Sequence, residues 1–137
     1  MTDLLSESRK LSELLLLSSA LARDTFAEIS AGLGIPVSIA RALCTLERPE
    51  PMSELAMKLR CDKSYITPLT DQMEELGFAN RVPGVDRRTK MIELTMKGQK
   101  TRDKLEAQIA KISPMMNRLT VAERKTLRNL LEKVATG

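Results

Sequence analysis

The chain has no histidine, no tryptophan, one tyrosine, two phenylalanines and two cysteines in 137 residues. Each shortage removes a class of function. Without an imidazole there is no Ser-His-Asp triad, no His-based acid–base pair and no ordinary catalytic zinc site. Two cysteines make neither a disulfide scaffold nor a four-cysteine zinc site. Three aromatic rings are too few for a platform that stacks single-stranded nucleic acid. The apolar run Leu14-Leu15-Leu16-Leu17 is too short to span a bilayer and follows acidic as well as basic residues. No signal peptide and no membrane partner are expected, so the protein is expected in the cytoplasm with its cysteines reduced. No carboxylate cluster stands at metal-ligand spacing and no nucleophile–base pair can be assembled, so no metal, cofactor or enzymatic activity is expected.

What is present is ordinary globular material, 42% hydrophobic and 29% charged. The length suits a single domain over residues 1–137. The net charge of +4 is spread unevenly. Residues 1–57 carry five basic and eight acidic side chains, residues 58–100 nine and six, and residues 101–137 eight and four. A basic middle suggests a polyanionic partner, against the simpler alternative of a solvated surface of mixed charge.

Periodicity predicts a first helix from about Asp3 to about Ser30, ended by Gly32 and Gly34. Leu4, Leu11, Leu14, Leu15, Leu21, Phe26 and Ile29 recur along it at spacings near three and four. Leu14 to Leu17 point in four successive directions, so this helix needs partners on several sides, one of them a second copy of the chain. Pro36 suits the first turn of a helix to about Glu47, with Ile39, Ala42, Leu43 and Leu46 buried. After Pro49 and Pro51, Ser53 is placed to cap a short helix with Leu55, Ala56 and Leu59 inward. Asp62 is placed to cap the next, with Ile66, Leu69, Met73 and Leu76 inward and Gly77 closing it.

The period then changes. Phe78–Val82 and Met91–Thr95 read as two strands joined by a tip holding Pro83, Gly84 and Asp86-Arg87-Arg88, a β-hairpin with a basic end. Thr95 caps a helix reaching about Ser113. Thr120-Val121-Ala122-Glu123 fits a capping box that opens a last helix with Leu127, Leu130, Leu131 and Val134 inward. Short helix, tight turn, second helix, basic hairpin: this order is a winged helix-turn-helix. The expected fold is mainly α with a small β-hairpin. A DNA-binding lobe occupies about residues 36–98, flanked by dimerisation helices at about 1–31 and 99–137.

Residues Ser53 to Gly98 resemble the MarR family of multiple antibiotic resistance regulators. The matching stretches are Ser53-Glu54-Leu55-Ala56, Asp62-Lys63-Ser64-Tyr65-Ile66-Thr67 and Asp71-Gln72-Met73-Glu74-Glu75-Leu76-Gly77-Phe78. The most specific is the wing pattern D-x-R followed by L-T-x-x-G, here Asp86-Arg87-Arg88 and Leu94-Thr95-Met96-Lys97-Gly98. Order and spacing over some 45 residues carry the resemblance, and the long flanking helices extend it over nearly the whole chain. It implies a homodimeric regulator, a repressor more readily than an activator, on palindromic double-stranded DNA. Family members often release DNA when a small ligand or oxidant acts on them, so a small-molecule effector joins DNA and a second copy as the expected partners.

On a helical wheel Ser64, Thr67, Pro68 and Asp71 lie opposite the apolar arc, and Ser64, Tyr65 and Thr67 occupy the end that enters a major groove. Their hydroxyls suit base edges or phosphates. Lys63, Ser64, Tyr65, Thr67 and Pro68 are therefore DNA-contact candidates, with Arg81, Arg87, Arg88 and Lys90 from the hairpin. The family pattern places the minor-groove arginine at Arg88, with Asp86 holding the tip through a turn hydrogen bond. Lys58 and Arg60 are further phosphate candidates. Pro68 removes a helical hydrogen bond, at a cost on the order of 3 kcal/mol unless the helix starts late or bends there. Asp71 has the wrong sign for a phosphate and is expected either to orient an arginine such as Arg81 or Arg88, or to stand free. Leu11, Leu14, Leu15, Leu127, Leu130, Leu131 and Val134 are expected to carry dimerisation. Cys44 and Cys61 read as structural rather than as a redox switch, and the methionines as core filler. The competing class is a winged helix that binds protein. The stretch Phe78–Lys100, with six basic and two acidic residues, favours DNA.

Overall fold

The computed structural model describes residues 2–137. They form two compact units, one of Ile29–Ala107 and one of the chain up to Glu28 together with Gln108–Gly137.

The first of these begins with the end of helix α1 (Thr2–Gly32), and the chain turns at Gly34, whose φ of +69° is open to glycine at little cost. The amide of Ile35 donates to the Ser30 carbonyl at 2.9 Å and that of Gly34 to Ala31 at 3.0 Å, so the last carbonyls are satisfied as the chain reverses. Helix α2 (Val37–Thr45) starts one residue after Pro36, which holds the cap position rather than the first turn. Its apolar stripe is where periodicity puts it: Ile39, Ala42, Leu43 and Leu46 are all buried.

The sequence pattern misses strand β1 (Glu50–Pro51), which pairs antiparallel with β3 (Lys90–Leu94) through Glu50↔Ile92 and Pro51↔Met91. Two residues, one of them a proline, carry no readable alternation. This strand also displaces the expected cap. Pro51, with φ of −58°, occupies the N-cap of helix α3 (Met52–Leu59), and Ser53 falls inside the first turn. The α3 helix ends at Arg60 in the left-handed region, φ 53°. Helix α4 (Lys63–Glu75) follows, with the Asp62 backbone extended at its N-cap but no bond from the Asp62 side chain.

Helix α4 buries Ile66, Leu69, Thr70 and Met73, and the Thr70 hydroxyl donates to the Ile66 carbonyl at 2.8 Å. Leu76, expected inward, is 38% exposed. It is the last residue before Gly77, whose φ of +79° turns the chain, and Phe78 takes the buried place with its amide on the Met73 carbonyl at 2.8 Å. The helix continues through Pro68. Ser64, whose carbonyl loses its amide partner there, and Pro68 are both exposed, so the loss falls on the solvent-facing side of the helix, where an unpaired carbonyl costs least.

Strand β2 (Ala79–Pro83) pairs antiparallel with β3, Arg81 opposite Ile92 and Pro83 opposite Lys90. The sheet order is β1-β3-β2. Both hairpin strands sit one residue off the sequence expectation, because Phe78 closes α4 and Thr95 opens helix α5 (Met96–Ile112), its hydroxyl accepting from the Gly98 amide at 3.0 Å.

The second unit contains the outer part of α1, the end of α5, the short helix α6 (Pro114–Asn117) and α7 (Val121–Thr136). The capping box is present: Thr120 Oγ1 accepts from the Glu123 amide at 3.2 Å, and Glu123 Oε1 from the Thr120 amide at 2.9 Å. The α7 stripe, expected inward, is not covered within one chain. Leu130 is 56% and Val134 81% exposed, and Leu131 and the α1 leucines Leu11, Leu14 and Leu15 are exposed as well, with Leu127 half-buried. Periodicity identifies an apolar face but not which molecule covers it.

Candidate nucleic-acid interface

The N-terminal half of α4 presents one continuous exposed surface. Lys63, Ser64, Tyr65, Thr67, Pro68 and Asp71 are all exposed, while Ile66 and Leu69 between them are buried. The wheel expectation therefore holds for this part of the helix, and the burial of its other face fixes its rotation about its own axis.

The hairpin tip is built from backbone turns. The Gly84 amide donates to the Thr89 carbonyl at 2.9 Å and the Thr89 amide to the Asp86 carbonyl at 2.9 Å. Asp86 Oδ1 accepts from the Arg88 amide at 3.1 Å, the side-chain turn bond read from the sequence. Arg87, Arg88 and Lys90 project exposed from this frame and make no ion pair among the described residues. Their full charge is open to solvent.

Arg81 is differently placed. Its Nη2 donates to Asp71 Oδ1 at 2.6 Å, its Nη1 to Glu74 Oε1, and its backbone amide points at Glu74 Oε2 at 3.4 Å. Burial works against the guanidinium charge, but the two carboxylates outweigh it and raise its pKa further. Arg81 thus joins β2 to α4, and Asp71 pairs with Arg81 rather than Arg88. Glu74 escapes a reading by motif, although its place three residues after Asp71 puts it on the same side of the helix. Lys58 is also engaged, its Nζ 2.6 Å from the buried Glu50 carboxylate. Arg60 is exposed at the αL cap.

The corner behind the hairpin is tightly made. The Thr95 hydroxyl donates to the Gly77 carbonyl at 2.6 Å and its amide donates to the Phe78 carbonyl at 2.9 Å. Lys97 donates to the Leu76 carbonyl at 2.8 Å with its ammonium 5.2 Å from the centre of the Phe78 ring. Cys44 and Cys61 are half-buried, Cys61 in the turn just before α4, and burial, reinforced by Glu106 and opposed by Arg102, pushes the Cys44 thiol up. In the other unit an apolar cavity of about 590 Å³ is lined by Leu11, Leu14 and Leu15 of α1 and Leu127 and Leu131 of α7.

Two helices joined by a tight turn, a three-stranded sheet with its hairpin projecting, and a helix returning behind it define a winged helix-turn-helix. Residues 39–90 match the profile of the MarR family. It is 35% identical over 81 residues to the HTH-type transcriptional regulator PrsX of Escherichia coli, an alignment covering 56% of this chain. The chain spans about half the length of that relative, 49%. Among solved structures it resembles a mutant MarR from E. coli complexed with operator DNA, with TM-score 0.75, 23% identity, and 93% of this chain and 95% of that one covered. It resembles equally CouR from Rhodococcus jostii RHA1 bound to p-coumaroyl-CoA, with TM-score 0.75, 21% identity and coverage of 92% and 91%. At these identities the likeness is one of fold.

Proposed function

We propose that this chain is a transcriptional regulator that binds double-stranded DNA as a homodimer, the α4 face in the major groove and the wing on the backbone and minor groove. The carrying observation is the pairing of two surfaces in one unit: an exposed hydroxyl-bearing helix end, Ser64, Tyr65 and Thr67, and an exposed wing tip whose Arg87, Arg88 and Lys90 form no ion pair among the described residues. The first suits base edges, the second phosphates. The similar PrsX is named as a regulator, and a similar structure holds operator DNA, which agrees with this reading.

Dimerisation is supported by the uncovered leucines of α1 and α7 and the apolar cavity they line. A two-fold dimer favours a palindromic site with half-sites about one helical turn, roughly 10 bp, apart. Such a dimer acts most simply as a repressor, by occupying a promoter. The activity is binding without a catalysed reaction, it takes place in the cytoplasm, and a small-molecule effector relieves it, as the CoA ester held by the similar CouR suggests. No single described helix is long and apolar enough to cross a membrane.

The test begins with selection of bound genomic fragments at stated salt, followed by titration of the selected duplex. Arg88→Ala takes a phosphate-neutralising charge from each wing, so it weakens binding to nearly all sequences and flattens the slope of log affinity against log salt by about 1 to 2 units per dimer. Thr67→Ala removes a neutral hydroxyl, so the slope stays and preference at one base pair per half-site relaxes by about 1 kcal/mol or less. An Arg88→Ala protein with unchanged affinity and slope would remove the wing from the interface and turn the reading toward a protein-binding winged helix.

A further inference from the structure

Arg81 carries the same charge as Arg87 and Arg88 and lies seven residues from Arg88, yet its environment is the opposite. Its guanidinium reaches two carboxylates of α4 and points Nη2 at the Thr67 carbonyl, 3.4 Å away. Its side chain is 26% exposed, against 63% for that of Asp71. Asp71 lies one turn beyond Thr67 on the exposed face of α4, so its carboxylate faces the surface offered to DNA. A carboxylate there repels phosphates unless something neutralises it or draws it aside.

We propose that Arg81 is a positioning residue rather than a DNA contact: it draws Asp71 and Glu74 toward β2 and cancels part of their charge, leaving the α4 face fit to meet phosphates. The inference rests on the DNA-binding reading above. It assigns the cluster of Arg81, Asp71 and Glu74 a net charge of −1. The cluster becomes −2 in Arg81→Ala, +1 in Asp71→Asn/Glu74→Gln and 0 when all three are changed. If Arg81 acts by screening, affinity follows that charge. If Asp71 and Glu74 instead hold Arg81 up to DNA as a contact, affinity follows the presence and aim of the guanidinium.

The experiment is anisotropy titration of the duplex selected by the wild type, with these three variants and Arg88→Ala. The expected order follows the charge: the two-carboxamide variant tightest, the triple variant at least as tight as wild type, and Arg81→Ala weaker on the order of tenfold, a modest like-charge penalty. The same two carboxamides leave the defect of Arg88→Ala in place. Weaker binding by the two-carboxamide variant, or a triple variant as weak as Arg81→Ala, overturns the proposal and makes Arg81 a contact. Because Arg81 also ties β2 to α4, hydrogen exchange of the β2 amides is followed in each protein. If Arg81→Ala loosens the wing, the two-carboxamide variant, which keeps Arg81, still decides. A wild type that selects no duplex removes the DNA reading and the screening role together, whereas a selected duplex with the wrong order removes only the role given to Arg81.

Discussion

Gly98 lies against the backbone of Phe78 so closely that a Cβ at position 98 would stand 2.1 Å from the Phe78 carbonyl oxygen and 3.0 Å from its carbon. That carbonyl is held, since it accepts the Thr95 amide at 2.9 Å. The glycine of the L-T-x-x-G pattern is thus required by the approach of α5 to the α4–β2 corner. Gly98→Ala must push α5 away from a fixed acceptor, and overpacking of this kind costs about 1–3 kcal/mol. Denaturant unfolding checks it through a lower midpoint with an unchanged slope. A stability equal to wild type would show that the corner is soft.

The corner also shows what a sequence can disclose. Thr95 was legible because a cap favours a short side chain bearing an acceptor, and Gly98 only as part of the resembled pattern, since its close approach to Phe78 depends on how α5 lies. Ile39, Leu43, Ile66 and Met73 were legible because helical period alone sets their burial. Strand β1 was not, because two residues cannot show alternation and its pairing partner Ile92 is 42 residues away from Glu50. Nor was the inward placement of Leu127, Leu130, Leu131 and Val134 correct for one chain, since periodicity finds a face but not its cover. At the interface, the exposed hydroxyls of α4 and the Asp86 turn bond follow from spacing, whereas the engagement of Arg81 by Glu74 depends on how β2 lies against α4.

The capping box of α7 predicts a pH dependence with a definite sign. The Thr120 backbone and side chain hydrogen bonds lower the pKa of the Glu123 carboxyl, with a small opposing effect of burial. A glutamate lowered on folding contributes its stability fully above the ordinary glutamate range and loses it as pH falls through the lowered value. The α7 amides therefore lose protection, relative to their intrinsic exchange rates at each pH, as pH falls through the lowered value in wild type, and this acid-sensitive component vanishes in Glu123→Gln. Thr120→Ala, which removes the reciprocal partner, costs about 1 kcal/mol at neutral pH. An α7 protection profile independent of pH in wild type would show that the box contributes nothing.

Neither cysteine is expected to be needed for binding. Burial raises the Cys44 thiol, with Glu106 adding to the shift and Arg102 opposing it, so less of it is thiolate at neutral pH and its attack on peroxide is slowed. A Cys44→Ala/Cys61→Ser variant binds the selected duplex with nearly unchanged affinity, and peroxide doses that spare methionine do not release the wild type. Rapid peroxide-driven release that disappears in the double variant would make the protein a redox sensor.

The exposed leucines of α1 and α7 give the last prediction. Fully burying a leucine side chain contributes about 1.5–3 kcal/mol. Leu130 at 56% exposure and Leu131 at 43%, with Leu11, Leu14 and Leu15 at 63%, 45% and 56%, leave much of that unrealised in one chain. A second copy would supply it, and sedimentation at micromolar concentration should then show a dimer. Leu130→Asp places a charge where apolar surface must close, and an unpaired carboxylate there is costly. The residue is exposed in the single chain, so the substitution should leave the helical circular dichroism of a fresh sample in place while the sedimenting mass halves. Binding to the full palindrome should then fall toward that of a single half-site. A wild type that stays monomeric at these concentrations, or a Leu130→Asp protein that sediments as a dimer with unchanged affinity, would move the interface away from α7.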